Sequence, residues 1–299
     1  MQEFMQSLIN KFENIYFIEG EREGNYPYSH SLLVGDYLID TGISGRRLRK
    51  VKRQFQINAI VLSHWHEDHI SGNNLFHDLN FLCHEEDRIP IEDIEQILPY
   101  YRVDGTNAGE EFRTLFDLFG MKNTKISRFI RDNEIINISD YLKLKVIHTP
   151  GHTAGHCAFI ELNSKIAFFG DIDLTRFPYY ATIDSDLMAY ENSIEKLKSL
   201  DLEIAVLGHR DPVFGGNNIR AELENFRMII TKRDERILSN LSERNPIRPV
   251  DLKGRNLIYK RYSFANFEVI SELVMIEKHF DKFLRNKLIT IKDNGYILT

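Results

Sequence analysis

Apolar residues in this chain fall into two alternating patterns, short unbroken runs and stretches with helical spacing. NIYFIEG, HSLLVG and DYLIDTG open the sequence as strands, with Gly35 and Asp36 forming a tight hairpin turn. RRLRKVKRQF has helical spacing and a basic face. INAIVLSH is a continuous apolar run, as a strand covered on both faces should be. A short helix in NNLFHDL and a strand in FLCH follow. Residues 90–138 differ: IEDIEQILPYY and EEFRTLFDLFG predict two helices joined by a turn at 104–107. Strands resume at YLKLKVIHTPG, HCAFIEL and KIAFFGDID, then a helix at DLMAYENSIEKLKSL and a strand at IAVLGH. Beyond about Asn218 the pattern is mostly helical, and ITIKDNGYILT closes the chain as a hairpin around Asp293, Asn294 and Gly295.

Two rounds of strand and helix followed by a helical tail predict an α/β (α+β) body. Its expected limits are 1–217, with a helical insert at 90–138, and a separate helical segment at 218–299. A length of 299 residues with 42% hydrophobic content is ample for a sizeable core. The net charge of −6 argues against a generally basic nucleic-acid binder. The charge is uneven, however: residues 219–299 hold 16 Lys+Arg against 11 Asp+Glu, a basic tail on an acidic body. Cys83 and Cys157 each sit in an apolar run without metal-site pairing, which reads as buried thiols in a reducing compartment. The N-terminus MQEFMQSLIN lacks a secretory pattern, and no run approaches 18 apolar residues, so a cytoplasmic protein without a membrane span is expected.

The chemistry concentrates where the apolar runs stop. His64, His66, Asp68 and His69 follow one predicted strand; His152, Asp171 and His209 each follow another. Strand ends are where an open α/β layer gathers its reactive groups. Imidazole and carboxylate suit zinc, iron or manganese, and seven such groups are too many for one tetrahedral ion but right for two ions sharing a carboxylate. Two ions a few ångströms apart hold a hydroxide at neutral pH and polarise the bond it attacks. His64 and His66, two apart, point the same way from an extended strand end. Gly72 eases the turn that follows, and Gly170 a tight bend before Asp171. His77, His84 and His279 read as ordinary core or surface histidines.

His64-Trp65-His66-Glu67-Asp68-His69, Thr149-Pro150-Gly151-His152, Gly170-Asp171, Gly208-His209 and the early Asp40-Thr41-Gly42 resemble the metallo-β-lactamase fold superfamily over roughly residues 12–215. The resemblance implies a four-layer αβ/βα sandwich. It implies one ion held by His64, His66 and His152, a second held by Asp68, His69 and His209, and Asp171 as the bridge. Asp40 would stand behind the metals, bonded to a ligand imidazole or shaping a loop.

The superfamily includes thioesterases of the glyoxalase II type, lactonases, β-lactamases, phosphodiesterases and nucleases. Lactonases that resemble this core commonly place Tyr three residues after the bridging Asp, where this chain has Leu174; Tyr179 and Tyr180 are the nearby candidates to replace it. The tail resembles the winged-helix-like segment of lactamase-beta-2-type proteins, some of which are endoribonucleases. Lys278, Lys282, Arg285, Lys287 and Lys292 are the cations that would meet RNA there; the favoured alternative is that Val274, Phe280, Phe283 and Leu284 pack this helix on the body and the charges face water. The favoured reading is a dinuclear hydrolase whose bridging hydroxide attacks a small thioester or ester, with Asp68 orienting it; RNA or phosphodiester cleavage and lactone opening are the alternatives. The insert, with Tyr100, Tyr101, Phe112, Phe116 and Phe119, reads as a lid that contributes substrate contacts; the alternatives are that these aromatics form only the insert's own small core or, if exposed, a homodimer contact.

Overall fold

The computed structural model describes residues 4–8 and 14–299. The other residues of the N-terminal stretch, on which the signal-peptide reading partly rests, lie outside the described residues. The first sheet is built in chain order from β1 (Met5–Ser7), β2 (Ile15–Ile18), β3 (Ser31–Val34), β4 (Tyr37–Ile39), β5 (Ala59–Val61), β6 (Asn80–His84) and β7 (Arg128–Ile130). Neighbours are antiparallel from β1 to β4 and parallel from β4 to β7. The parallel crossovers carry α1 (Gly45–Gln54), the single turn α2 (Glu67–Ile70), α3 (Arg88–Glu92), α4 (Ile97–Tyr100) and α5 (Asn107–Phe119). The second sheet contains β8 (Ile135–Asn137), β9 (Lys143–His148), β10 (Cys157–Glu161), β11 (Ile166–Phe168), β12 (Ile204–Val206) and β13 (Val213–Phe214), in the order β13-β12-β11-β10-β9-β8. Helices α6 (Leu187–Lys198), α7 (Gly216–Leu238) and α8 (Ala265–Arg285) cover its outer side, and β14 (Ile289–Lys292) and β15 (Gly295–Leu298) form the closing hairpin.

Strand alternation explains the unbroken apolar runs. Ala59 and Val61 of β5 face the second sheet, while Ile60 and the following Leu62 face the helices on the outside. Likewise Ile204 and Val206 of β12 point inward, and Ala205 and Leu207 point toward α6–α8. Each strand is buried on both faces, so both of its residue sets must be apolar. The result is the expected four-layer sandwich: helices, sheet, sheet, helices.

The stretch 90–138 is helical only as far as α5. Thr106 Oγ1 accepts from the Gly109 amide at its start (3.2 Å), and Gly120 ends it at φ +61°. Beyond it, β7 and β8 carry the chain from the edge of one sheet to the edge of the other. Tyr101, Phe112 and Phe116 are buried in the chain's own core, so most of the aromatics behind the dimer expectation are not surface.

In the tail, α8 buries Val274, Met275, Ile276, Phe280 and Phe283 in the same apolar cluster as Ile194 and Leu197 of α6 and Leu207 after β12. Three cations invoked for RNA are engaged there. Lys282 lies between Glu191 (2.5 Å) and Asp234 (2.6 Å), Arg285 pairs with Asp186 (2.6 Å), and Lys278 donates to the Ile183 carbonyl (2.9 Å). This gives the RNA reading no support. Both cysteines are free and buried. Among the described residues, no helix is long and apolar enough to cross a membrane.

Candidate metal centre

All seven residues expected at the centre gather at one end of the sandwich, on loops leaving β5, β9, β11 and β12. After β5 the chain bends at Ser63, passes through His64 to an extended His66 (φ −58°, ψ 142°) and winds into α2, which carries Asp68 and His69 on one turn. Gly72 has an ordinary φ of −97°. Space rather than backbone freedom requires glycine there, because a Cβ would lie 2.0 Å from Leu48 and 2.5 Å from the Thr41 carbonyl. Gly170 does need the left-handed region (φ +54°), and a Cβ there would meet His156 Nε2 at 2.7 Å.

The tips form two sets. His152 Nε2 lies 3.2 Å from His64 Nε2, 2.8 Å from His66 Nδ1 and 3.2 Å from Asp171 Oδ2. His209 Nε2 lies 3.3 Å from His69 Nε2, 3.3 Å from Asp68 Oδ2 and 3.3 Å from Asp171 Oδ1, which is itself 2.8 Å from His69 Nε2. Asp171 therefore offers one oxygen to each set.

The outer nitrogens reveal the protonation pattern. His152 Nδ1 faces the Tyr179 carbonyl (2.9 Å) and His209 Nδ1 the Gly24 carbonyl (2.7 Å). A carbonyl only accepts, so both Nδ1 atoms donate. His69 Nδ1 donates to Asp40 Oδ2 (2.7 Å). The Ser63 hydroxyl gives its proton to Asp40 Oδ2 (2.6 Å), so it accepts from His64 Nδ1 (2.9 Å). In neutral imidazoles four Nε2 lone pairs consequently point at one another and at Asp171. Such an arrangement repels unless positive charge lies among the tips, and a divalent cation in each set supplies it. The electrostatics agree: burial pulls His209 down, but Asp171 and then Asp68 outweigh it and lift it to about 10. The residues fit a pair of divalent ions, with His64, His66, His152 and Asp171 able to hold one and Asp68, His69, His209 and Asp171 the other. The donors are nitrogen and oxygen only, which suits zinc and also admits iron or manganese.

Asp40 accepts from the Ser63 amide (2.7 Å), the Ser63 hydroxyl and His69, and it holds φ +61° to do so. Replacing it by Ala strands the proton-bearing sides of His69 and Ser63. Metal affinity is expected to fall about 10–100-fold, as measured by competition with a chromophoric chelator. An affinity within twofold of the parent would make Asp40 a loop-shaping residue only.

The centre forms the floor of a cavity of about 910 Å³. Tyr101 and Tyr179 line it beside His66, with ring centroids 5.4 and 5.9 Å from the imidazole. Of the other expected substrate contacts, Tyr180 is fully buried, its hydroxyl between His279 Nε2 (2.9 Å) and Arg233 Nη1 (2.9 Å), and it does not line the cavity. Tyr100 also lies outside the lining and packs against Trp65 (5.3 Å). Leu174 is buried.

Three further residues escaped the sequence reading. His156 Nδ1 donates to the Thr149 carbonyl (3.1 Å), and its Nε2 accepts from the Asp171 amide (3.1 Å), fixing the bridge from behind. Asp87 is buried and accepts from the Trp65 amide (3.1 Å), the Thr153 hydroxyl (2.8 Å) and the Gly155 amide (2.6 Å), tying the loop of His64 and His66 to that of His152. Glu67 lines the cavity and accepts from Tyr26 (2.9 Å) and Tyr101 (2.8 Å); burial, then repulsion from Asp68, raises its carboxyl to about 7. The spacing of His156 four residues after His152 was the one available signal, whereas nothing local marks the other two as buried.

The chain matches the sequence pattern of the metallo-beta-lactamase superfamily over residues 27–117 and 132–209. It is 26% identical over 226 residues to a beta-lactamase-like protein 2 homolog of Caenorhabditis elegans, covering 73% of this chain and 65% of that one. It is 27% identical over 149 residues to the hydroxyacylglutathione hydrolase GloC of Haemophilus influenzae, covering 45% and 59%. The chain thus spans slightly less than two thirds of the length of these relatives. A beta-lactamase domain protein from Burkholderia ambifaria shares the fold, with a TM-score of 0.72 at 14% identity over 99% of this chain and 93% of that one.

Proposed function

The chain belongs to the metallo-beta-lactamase superfamily of metal-dependent hydrolases, and we propose that it hydrolyses a thioester or ester of a small acyl compound, using two divalent cations, zinc by preference. The observation that carries this reading is the convergence of imidazole nitrogens and both Asp171 oxygens at the floor of a cavity sized for a small molecule. Bound there, a pair of divalent cations supplies a nucleophile from water at neutral pH and polarises the acyl carbonyl.

The protein's own residues do the rest. Asp40, Ser63 and the carbonyls of Gly24 and Tyr179 lock four imidazoles in the tautomer that presents Nε2 inward. Asp68 belongs to the second set and lines the cavity, which suits it to orient the attacking water and accept its proton. Tyr101 and Tyr179 wall the space beside His66 and keep bulk water from the acyl group. A thioester is favoured because the Haemophilus influenzae relative is a hydroxyacylglutathione hydrolase, and a hydroxyacyl group on glutathione is a thioester. Leu174 offers no hydroxyl where a lactonase would place one.

Elemental analysis of protein purified without chelator is expected to give close to two transition-metal ions per chain. The loaded protein is expected to turn over simple thioesters faster than lactones or phosphodiesters. Metal content near zero after supplementation, or turnover confined to phosphodiesters, would overturn the reading.

A further inference from the structure

The cavity lining carries charge of both signs. Glu67, Asp68, Asp171 and Asp173 are its acids on and next to the candidate metal residues. The same lining presents Arg176, Arg233 and Arg236 together with Lys260 and Arg261 of the segment between α7 and α8. Among the described residues, none of these five cations has a carboxylate within 4.0 Å, whereas Arg210, Arg227, Lys282 and Arg285 nearby in sequence all do. The two other acids of the lining are occupied elsewhere: Glu268 accepts from the Ser263 and Phe264 amides, and Glu111 from the Asn266 side chain (2.7 Å).

Arg233 is the informative member. It is only 2% exposed, yet lines the cavity. Its Nη1 donates to the Pro178 carbonyl (2.6 Å) and the Tyr180 oxygen (2.9 Å), and its guanidinium lies over the Phe177 ring (4.5 Å). A buried cation with neutral partners alone is costly unless an anion arrives to meet it. Burial, then repulsion from Arg233, also lowers the pKa of Arg236, a repulsion that an anionic ligand beside the pair relieves.

A single carboxylate would leave most of that charge unmatched, whereas a phosphate monoester brings about two negative charges and accepts forked Arg bonds. The side of the cavity next to His66 is instead aromatic: Tyr101, Phe112 and Phe267 contact one another at 5.0–5.4 Å. Resting on the hydrolase reading above, we propose that the substrate is an acyl thioester or ester whose thiol or alcohol part bears phosphate groups, held by Arg233, Arg236, Lys260 and Arg261 while the acyl group lies in the aromatic corner. Hydrolysis then breaks the bond from acyl carbon to sulfur or oxygen. Water supplies the hydroxyl that completes the acid and the proton that completes the leaving thiol or alcohol.

Lys260 and Arg261 are exposed, so K260Q/R261Q tests the wall without disturbing the core. Two measurements are made on metal-loaded protein. Calorimetry with adenosine 3′,5′-bisphosphate is expected to show binding that weakens with added salt and is at least tenfold weaker in the variant. The ratio of kcat/KM for acetyl-coenzyme A over S-acetylpantetheine, which has the same reacting bond but no phosphate, is expected to fall at least tenfold in the variant; a general structural effect would lower both rates alike and leave the ratio unmoved. Equal bisphosphate binding by parent and variant, or none, overturns the phosphate wall. If S-acetylpantetheine is then turned over as well as acetyl-coenzyme A, the hydrolase reading survives without it. If neither thioester is hydrolysed, the reaction reading and the leaving-group role fall together, even where calorimetry detects the wall. A single-stranded RNA oligonucleotide that binds more tightly than the bisphosphate and is cleaved overturns the small-molecule proposal in favour of an RNA track.

Discussion

Changing Asp68 to Asn is expected to give a folded protein at least about 100-fold slower on its best substrate. The substitution keeps the side-chain shape and one oxygen, but removes the charge that faces His209 Nε2 at 3.3 Å. Burial raises the Asp68 carboxyl while His69 and then His209 pull it down, so its ionised form depends on the positive charge around it. Asn cannot take a proton from the attacking water, and loss of a positioned acceptor typically costs ~10²–10⁴-fold. The set of His64, His66 and His152 does not include Asp68 and is expected to keep its ion. Steady-state kinetics beside elemental analysis checks both halves. A variant within a few-fold of the parent would assign Asp68 to structure and sink the proposed mechanism.

Ending the chain at residue 217 is expected to abolish soluble, cooperatively folding protein. Removing α7 and α8 strips the cover from Tyr190, Ile194, Leu197 and Leu207, which are buried against them. It also removes much of one cavity wall. An exposed apolar face of that extent aggregates. A single substitution probes the same contact more gently: Phe280→Ala in α8, at 1% exposure, is expected to cost about 3–5 kcal/mol in denaturant unfolding. A 1–217 protein that is soluble, unfolds in one sharp transition and still turns over thioesters would establish the tail as a separate domain.

Much of the sandwich was legible because a strand buried on both faces cannot hide its composition. INAIVLSH, KIAFF and IAVLGH mark the centres of two sheets, and the polar residue that breaks each run marks the loop that leaves it. The seven candidate metal residues were legible for the same reason, each a ligand type at the end of such a run. What escaped depends on contacts across the chain. Tyr180 looks like a loop aromatic beside the site, but α7 and α8 enclose it, and Arg233 lies 53 residues away in sequence. Asp87 resembles any surface acid in HEEDR until the fold brings Thr153 and Gly155 to it from 66 and 68 residues away. Strands β7 and β8 are three residues each, too short for alternation to register beside the helices before them.

The candidate metal residues span positions 64 to 209, and His69 and His209 meet across 140 residues of chain. No short peptide from this protein contains either set whole. Each set joins residues from the loops of both sheets, so it exists only after the two halves of the sandwich have docked, and closing loops of that length is the slow part of folding. Capture of a metal by either complete set would then need the finished fold. Ions taken up at that point would add their binding free energy to the native state alone, so a chelator is expected to lower the unfolding midpoint of the metal-loaded protein.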